Sequence, residues 1–319
     1  MLLITLWGVQ TSAQSLLSVT SQAGAPVIKI NPATGTAQTV ISTGAPTPDF
    51  GLGTFDPLHR RLFFLDGPSG SQSLIIVDLN ALTVTAKPIA MPASYLFLEY
   101  DAANDRVLSV TSAASAPIVS INPSTGATLT LLSTGASSPD FGLSAFDPIA
   151  RRLYFLDGPI GAQSVVTLNL ATQAASTVAI PIPANYLFFE WDSLSGRILA
   201  VTSQAGGPLL GIDPATGASQ TILTTGATNA NFGLSAIDTV GRRLFFLSGP
   251  AGAQSLFTVN LSSNAASSVP AAIPASYLLF EFEPLSGANI PALESVGLMV
   301  LALGLAFIGI ASGRFRPTG

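Results

Sequence analysis

Cysteine is missing altogether from the 319 residues, which rules out disulfides, thiolate nucleophiles and Cys-ligated zinc or iron–sulfur sites. Histidine occurs once, at His59, so neither a multi-His metal centre nor a His-based triad repeated along the chain can be assembled. Charge is also scarce. Only 9% of the residues are charged, 12 basic against 17 acidic, and the net charge of −5 carries no basic stretch. Nucleic-acid binding therefore lacks its electrostatic footprint. Apolar residues make up 48%, and the surface must rest on Ser, Thr, Asn, Gln and Gly. That profile suits a β-rich exported protein better than a cytosolic helical one.

What is present is repetition. Thr20, Thr111 and Thr202 close the runs Leu-Ser-Val-Thr, Leu-Ser-Val-Thr and Leu-Ala-Val-Thr at a spacing of 91 residues. Arg61, Arg152 and Arg243 keep that spacing, as do Tyr95, Tyr186 and Tyr277. A period of 91 is about twice the 40–45 residues of a four-stranded propeller blade. Each repeat also divides into two similar halves. One carries Phe55-Asp56-Pro57, Arg60 to Gly67 and Leu74 to Leu79; the other carries Leu98 to Asp101, Arg106 to Thr111 and Ile118 to Asn122. Short β-branched and aromatic runs separated by turn residues set the pace of an all-β fold. The turns Asn31-Pro32-Ala33-Thr34-Gly35, Asn122 to Gly126 and Asp213 to Gly217 combine an Asx cap, a φ-fixing Pro and a Gly for positive φ, as a hairpin between third and fourth strands requires. Leu16 to Val19 matches a second strand and Tyr277 to Phe282 a first strand, so the end of the chain would complete the blade that its beginning opens. The expected fold is all-β: a six-bladed propeller over 16–287, built from three two-blade repeats. The halves with Asp147-Pro148, Arg152-Leu153-Tyr154-Phe155-Leu156-Asp157 resemble the YWTD blades of LDL-receptor-type six-bladed propellers. That resemblance bears on fold and not on partners.

The two ends read differently. Leu2 to Val9 is a short apolar run, and Thr11 and Ala13 are small residues at the −3 and −1 positions a signal peptidase accepts. Residues 1–13 are therefore expected to be a signal peptide, with an N-terminal strand as the alternative. Ser295 to Gly313 contains no charge, and Arg314 and Arg316 follow it. Nineteen residues at about 1.5 Å each span roughly 28 Å, near the thickness of a bilayer core. The sequence thus predicts a transmembrane helix over 295–313 and a basic cytoplasmic tail over 314–319. Ile290-Pro291-Ala292-Leu293, then Gly297, the apolar span and the arginines resemble the IPTL-CTERM sorting signal of Gram-negative bacteria, a PEP-CTERM-like signal, with Ala292 for its Thr and Val296 for its Trp. The resemblance implies a linker over 288–294, an exosortase-type sorting enzyme as partner, and a protein held at the inner membrane or processed to the cell surface.

Few residues could carry chemistry. Glu99, Glu190 and Glu281 fall on the expected innermost strands of alternate blades, where three carboxylates would repel unless neutralised. One reading is a hard-cation site for Ca²⁺. The other is a ring of inter-blade ion pairs with Arg60-Arg61, Arg151-Arg152 and Arg242-Arg243. Asp56, Asp147 and Asp238, with Asp101 and Asp192, are expected to cap strand-to-strand turns. His59 has no counterpart at Ala150 or Gly241 and reads as an exposed turn residue. Phe63-Phe64, Tyr154-Phe155 and Phe245-Phe246 read as core between blades. The loops Gly67 to Ser73, Gly158 to Ser164 and Gly249 to Ser255 are short and nearly identical. They supply no asymmetric set of nucleophile, base and oxyanion donors. The expected function is a non-catalytic, exported cell-surface or envelope propeller acting as a binding or structural module. The alternative is a Ca²⁺-dependent hydrolase of the six-bladed lactonase type.

Overall fold

Each blade of this chain must cover two apolar sheet faces. Strands such as Arg61–Asp66 (RLFFLD) are apolar at consecutive positions rather than at alternating ones, the mark of a sheet buried on both sides. The computed structural model describes residues 14–68, 70–89, 94–180, 185–271 and 276–284. In it Ala13–Glu283 forms one unit of six four-stranded antiparallel sheets.

Blade 1 is made of Glu281–Glu283, Ser15–Val19, Pro26–Ile30 and Ala37–Ser42, in order from innermost to outermost strand. Blade 2 follows with Pro48–Asp56, Arg61–Asp66, Ser73–Asp78 and Thr83–Pro88; blade 3 with Glu99–Asp101, Arg106–Val110, Pro117–Ile121 and Thr128–Ser133. Blade 4 has Pro139–Asp147, Arg152–Asp157, Ser164–Asn169 and Ala174–Ala179; blade 5 has Tyr186–Asp192, Arg197–Thr202, Pro208–Ile212 and Ser219–Thr224. Blade 6 is Ala230–Asp238, Arg243–Ser248, Gln254–Asn260 and Ala265–Ala271. The order of strands is the one the repeats predict, including the closure. Ser15 pairs with Glu283, Leu16 with Phe282 and Leu17 with Glu281, and Thr20 bridges Tyr277.

The core is six separate layers, one between each pair of neighbouring blades. The layer between blades 4 and 5 joins Tyr154, Leu156 and Val165 to Tyr186, Phe189 and Ile198. The layer between blades 1 and 2 joins Leu17, Val19 and Val27 to Leu62, Phe64 and Val77. Phe63, Phe64, Tyr154, Phe155, Phe245 and Phe246 are all buried within these layers, where the sequence reading puts them.

The fold class needs one correction. The sequence predicts a membrane-crossing helix over 295–313, yet among the described residues no helix is long and apolar enough to cross a membrane. Among the described residues the helix is the 3-10 turn Ala102–Asn104, and their apolar sequence goes into strands buried on both faces. Positions 295–313 themselves lie outside the described residues, as do 1–13, the linker 288–294 with Ile290, Pro291, Ala292 and Leu293, Gly297, and the tail 314–319.

Ring closure is fastened by charge as well as by strand pairing. Glu283, 4% exposed, accepts hydrogen bonds from Arg60 at 2.6 Å and Ser15 at 2.7 Å, and lies 2.7 Å from Lys29 Nζ. Burial alone would raise its pKa, but these donors hold the carboxyl below its usual range. Glu283→Ala strands two cations at the seam, and should lower unfolding free energy by about 2–4 kcal/mol in urea titration. A loss under about 0.5 kcal/mol would mean that strand pairing alone holds the seam.

Candidate functional site at the propeller axis

The innermost strands surround the axis, and those of blades 2, 4 and 6 touch one another across it. They are nine residues long, and each breaks register near its start: after Pro48 opposite Asp66, pairing resumes only at Gly53 opposite Phe64. The bulge puts Gly51, Gly142 and Gly233 at φ of 70°, 68° and 65°, a conformation glycine takes at no steric cost. The Gly51 and Gly142 N–H groups donate to the carbonyls of Leu278 and Leu96, stitching each bulge to a neighbouring blade.

These glycines make room for aromatics. A methyl at Gly51 would sit 3.3 Å from the Phe141 ring, one at Gly142 3.1 Å from Phe232, and one at Gly233 3.9 Å from Phe50. The three phenylalanines therefore form a pseudo-threefold ring at the mouth of the axis, each beside the glycine of another repeat. Phe141 and Phe232 stack with centroids 6.5 Å apart, and Phe50 and Phe141 are exposed. The sequence reading missed this trio. Its signal was there in Asp49-Phe50-Gly51, Asp140-Phe141-Gly142 and Asn231-Phe232-Gly233, 91 residues apart.

Glu99, Glu190 and Glu281 lie lower on the axis, on the innermost strands of blades 3, 5 and 1. Each keeps some exposure to the channel yet is enclosed by it. Ser144 Oγ donates to Glu99 at 2.8 Å and Ser235 Oγ to Glu190 at 2.7 Å. The third repeat position is Gly53, which brings no hydroxyl to Glu281 and packs against Leu279 instead. Burial pushes Glu99 up to about 7 against the opposing Ser144 bond. Burial, with the nearby Glu99 charge, pushes Glu190 up to about 8. Glu281 is raised well above the ordinary carboxylate range, by burial and by both other carboxyls. Among the described residues, no group of three or more His, Cys, Asp or Glu is gathered so as to hold a metal ion.

Three of the six arginines form inter-blade ion pairs with carboxylates two residues beyond those expected. Arg60 bonds Glu283, Arg151 bonds Asp101 and Arg242 bonds Asp192. A step of two keeps the same face of a strand but moves the contact from the channel to the blade end. Arg60, Arg151 and Arg242 take positive φ of 55°, 52° and 54°, a strain of order 1 kcal/mol that the ion pair offsets. Arg61 and Arg243 hold the buried Asp56 and Asp238 of their own blades at 2.6 Å, and Arg61 also reaches Asp105 of blade 3 at 2.6 Å. The aspartates cap as expected: Asp56 accepts from Leu58 and His59 N–H, Asp147 from Ile149 and Ala150, Asp192 from Leu194, and Asp238 from Gly241. Asp101 binds side chains, those of Asn104, Arg106 and Arg151. His59 is 57% exposed and places Nδ1 2.8 Å from Asp56.

No protein-family model matches the chain, and no curated protein matches it. Solved structures do. A chain of a nidogen/laminin complex superposes with a TM-score of 0.63 at 13% identity, covering 85% of this chain and 99% of that one. TolB from Acinetobacter baumannii gives 0.62 at 10% identity over 86% of this chain and 67% of its own. A Bacteroides uniformis protein proposed to be a 6-phosphogluconolactonase gives 0.53 at 12%, covering 80% and 81%. The likeness is one of fold. It supports a six-bladed propeller, and at these identities it says nothing of chemistry.

The carboxyl ring makes stability depend on pH in a stated direction. The unfolded chain releases these protons near the ordinary value of 4.5, while the folded chain holds them to about 7 at Glu99 and about 8 at Glu190, with Glu281 raised as well. Unfolding is then favoured increasingly as pH rises through that window. Stability should peak near pH 5 and decline toward pH 8. Glu281→Gln should flatten the decline and raise stability at pH 8 by on the order of 1–2 kcal/mol, with little effect at pH 5. Urea titrations at both pH values test this, and a variant that declines in parallel with the parent would remove the ring as the cause.

Proposed function

We propose that the chain is a non-catalytic binding or structural module, exported to the cell envelope, that presents the mouth of its propeller axis to a macromolecular partner. The observation that carries this reading is the trio Phe50, Phe141 and Phe232. An exposed aromatic cluster on a rigid scaffold is a common anchor for a partner. Around it the loops are short and repeated, and the polar groups nearby are tied to structure: Gln72 donates to Asp49 and Gln163 to Asp140. Catalysis calls for unlike groups converging on one point, and a threefold-repeated rim supplies like ones.

Export rests on the apolar run Leu2 to Val9 with Thr11 and Ala13, and on the resemblance of Ile290-Pro291-Ala292-Leu293 and Gly297 to a sorting signal. An exosortase-type enzyme is the proposed processor of that end. Fractionation of cells expressing the chain, with intact mass of the product, tests this part. A mature species starting near Gln14 and ending near Pro291 supports it; an uncleaved species in the cytosol overturns it.

Binding is tested with isolated envelope fragments of the source cells. Phe50→Ser should weaken adsorption of the purified protein at least tenfold while thermal unfolding stays within a few degrees. Equal adsorption by parent and variant would remove the aromatic mouth from the reading. The competing view, a Ca²⁺-dependent lactonase using Glu99, Glu190 and Glu281, predicts a rise in Tm with millimolar Ca²⁺ that Glu190→Gln abolishes, together with hydrolysis of an aldonolactone. We expect neither.

A further inference from the structure

A propeller has no sheet edge at its centre, but every blade leaves one at its rim. The six outermost strands each pair inward only, so each offers a row of backbone N–H and C=O groups to the outside. Natural proteins blunt such edges with charge, proline, bulges or cover. Five of the six edges here carry at least one of these devices. Ala37–Ser42, Thr128–Ser133 and Ser219–Thr224, on blades 1, 3 and 5, are each bulged against their third strand. On blade 2 the strand ends in Lys87 and Pro88, and on blade 6 it contains Pro270.

Blade 4 has no charge, proline or bulge there. Its outermost strand Ala174–Ala179 reads AASTVA, with no charge and no proline. It pairs in unbroken register, from Ser164 opposite Ala179 to Asn169 opposite Ala174. Every residue but Val178 is exposed. The turn of blade 5 lies over its end: a methyl at Gly217 would lie 2.1 Å from Ala179 O and 2.9 Å from Val178 Cγ1.

We propose that residues 174–178 of blade 4 pair edge to edge with the same strand of a second copy of this chain, giving a two-fold antiparallel dimer. Three features select a second copy as the occupant. The strand is uncharged, so facing it with itself sets no like charges opposite each other, although the chain as a whole carries −5. Its small side chains leave no pocket or ionic group by which to choose a different sequence. A two-fold interface also lets one edge satisfy another without leaving either open. With the dyad at Ser176, Ala175 faces Thr177 and Ala174 faces Val178. Ten strand residues bury well under the roughly 1,200 Å² of a standard interface, so the association is weak and depends on concentration.

Sedimentation velocity of the full chain, from low micromolar to several hundred micromolar, reads the proposal. A monomer–dimer equilibrium is expected. Ser176→Lys sets two ammonium groups against each other at the dyad and should raise the dissociation constant at least tenfold. Thr39→Lys, on the bulged edge of blade 1, should leave it unchanged. Amide exchange on the parent chain should slow at Ala175 and Thr177 as concentration rises. A chain that stays monomeric throughout, association that survives Ser176→Lys, equal weakening by both variants, or exchange at 174–178 that ignores concentration would each overturn the proposal.

Discussion

The molecule depends on the burial of two faces per sheet. A four-stranded sheet with Leu62, Phe63, Phe64 and Leu65 in succession along one strand cannot leave either side in water. It must be flanked, and each flanking sheet has the same need. A row of such sheets always leaves two outer faces open; a ring leaves none. The hydrophobic effect thus selects closure, and the chain meets it by lending its last described strand, Glu281–Glu283, to the blade begun by Ser15–Val19. The six layers of core are similar in kind, and no one of them is the nucleus on which the others are hung. What sets the seam apart is that its two strands are joined by chain ends rather than by a loop. A buried ionic cluster at Glu283 sits there, at the point where loop connectivity gives the least help.

Closure forces crowding at the centre. Nine-residue strands from three blades meet at the axis, and only glycine permits the backbone path they take there. The bulges at Gly51, Gly142 and Gly233 turn the chain outward and let each phenylalanine lie beside another repeat. Below them the axis admits carboxyls that cannot all ionise. Glu99 and Glu190 are eased by a serine each, while Glu281 faces Gly53. The duplication is therefore broken at the place where three charges would be hardest to hold, and the proton carries the difference. Carboxyls whose proton affinity burial has raised need less from a cation or an arginine, and the arginines tie blade ends together two residues away.

How much of this was legible in the sequence follows from what the period of 91 can and cannot encode. Repeat length, half-repeat similarity and the Asx-Pro-x-Thr-Gly turns settle strand order and closure, because these are local signals multiplied by three. The pairing of Arg60 with Glu283 rather than Glu281 could not be read the same way. Both carboxylates lie on one face of one strand, and only the depth of the strand end decides between them. The Phe50, Phe141 and Phe232 ring was visible as a repeat but not as a site, since an aromatic beside a glycine in a strand usually means core.

Near-identical repeats make the departures from symmetry informative. Gly53 for Ser144 and Ser235, Asn231 for Asp49 and Asp140, and an edge on blade 4 without the proline of the related blades 2 and 6 are among the points at which the three copies stop being equivalent. The first two are buried or half-buried and alter proton affinity and hydrogen bonding near the axis. The third lies on the rim and alters nothing inside the molecule. A substitution with no internal consequence is free to be shaped by what the surface meets. Axis and rim are thus separable: the threefold mouth offers the same contact three times, and the rim offers one edge once, so a partner at the mouth and a second copy at blade 4 could be held together without competing for any residue.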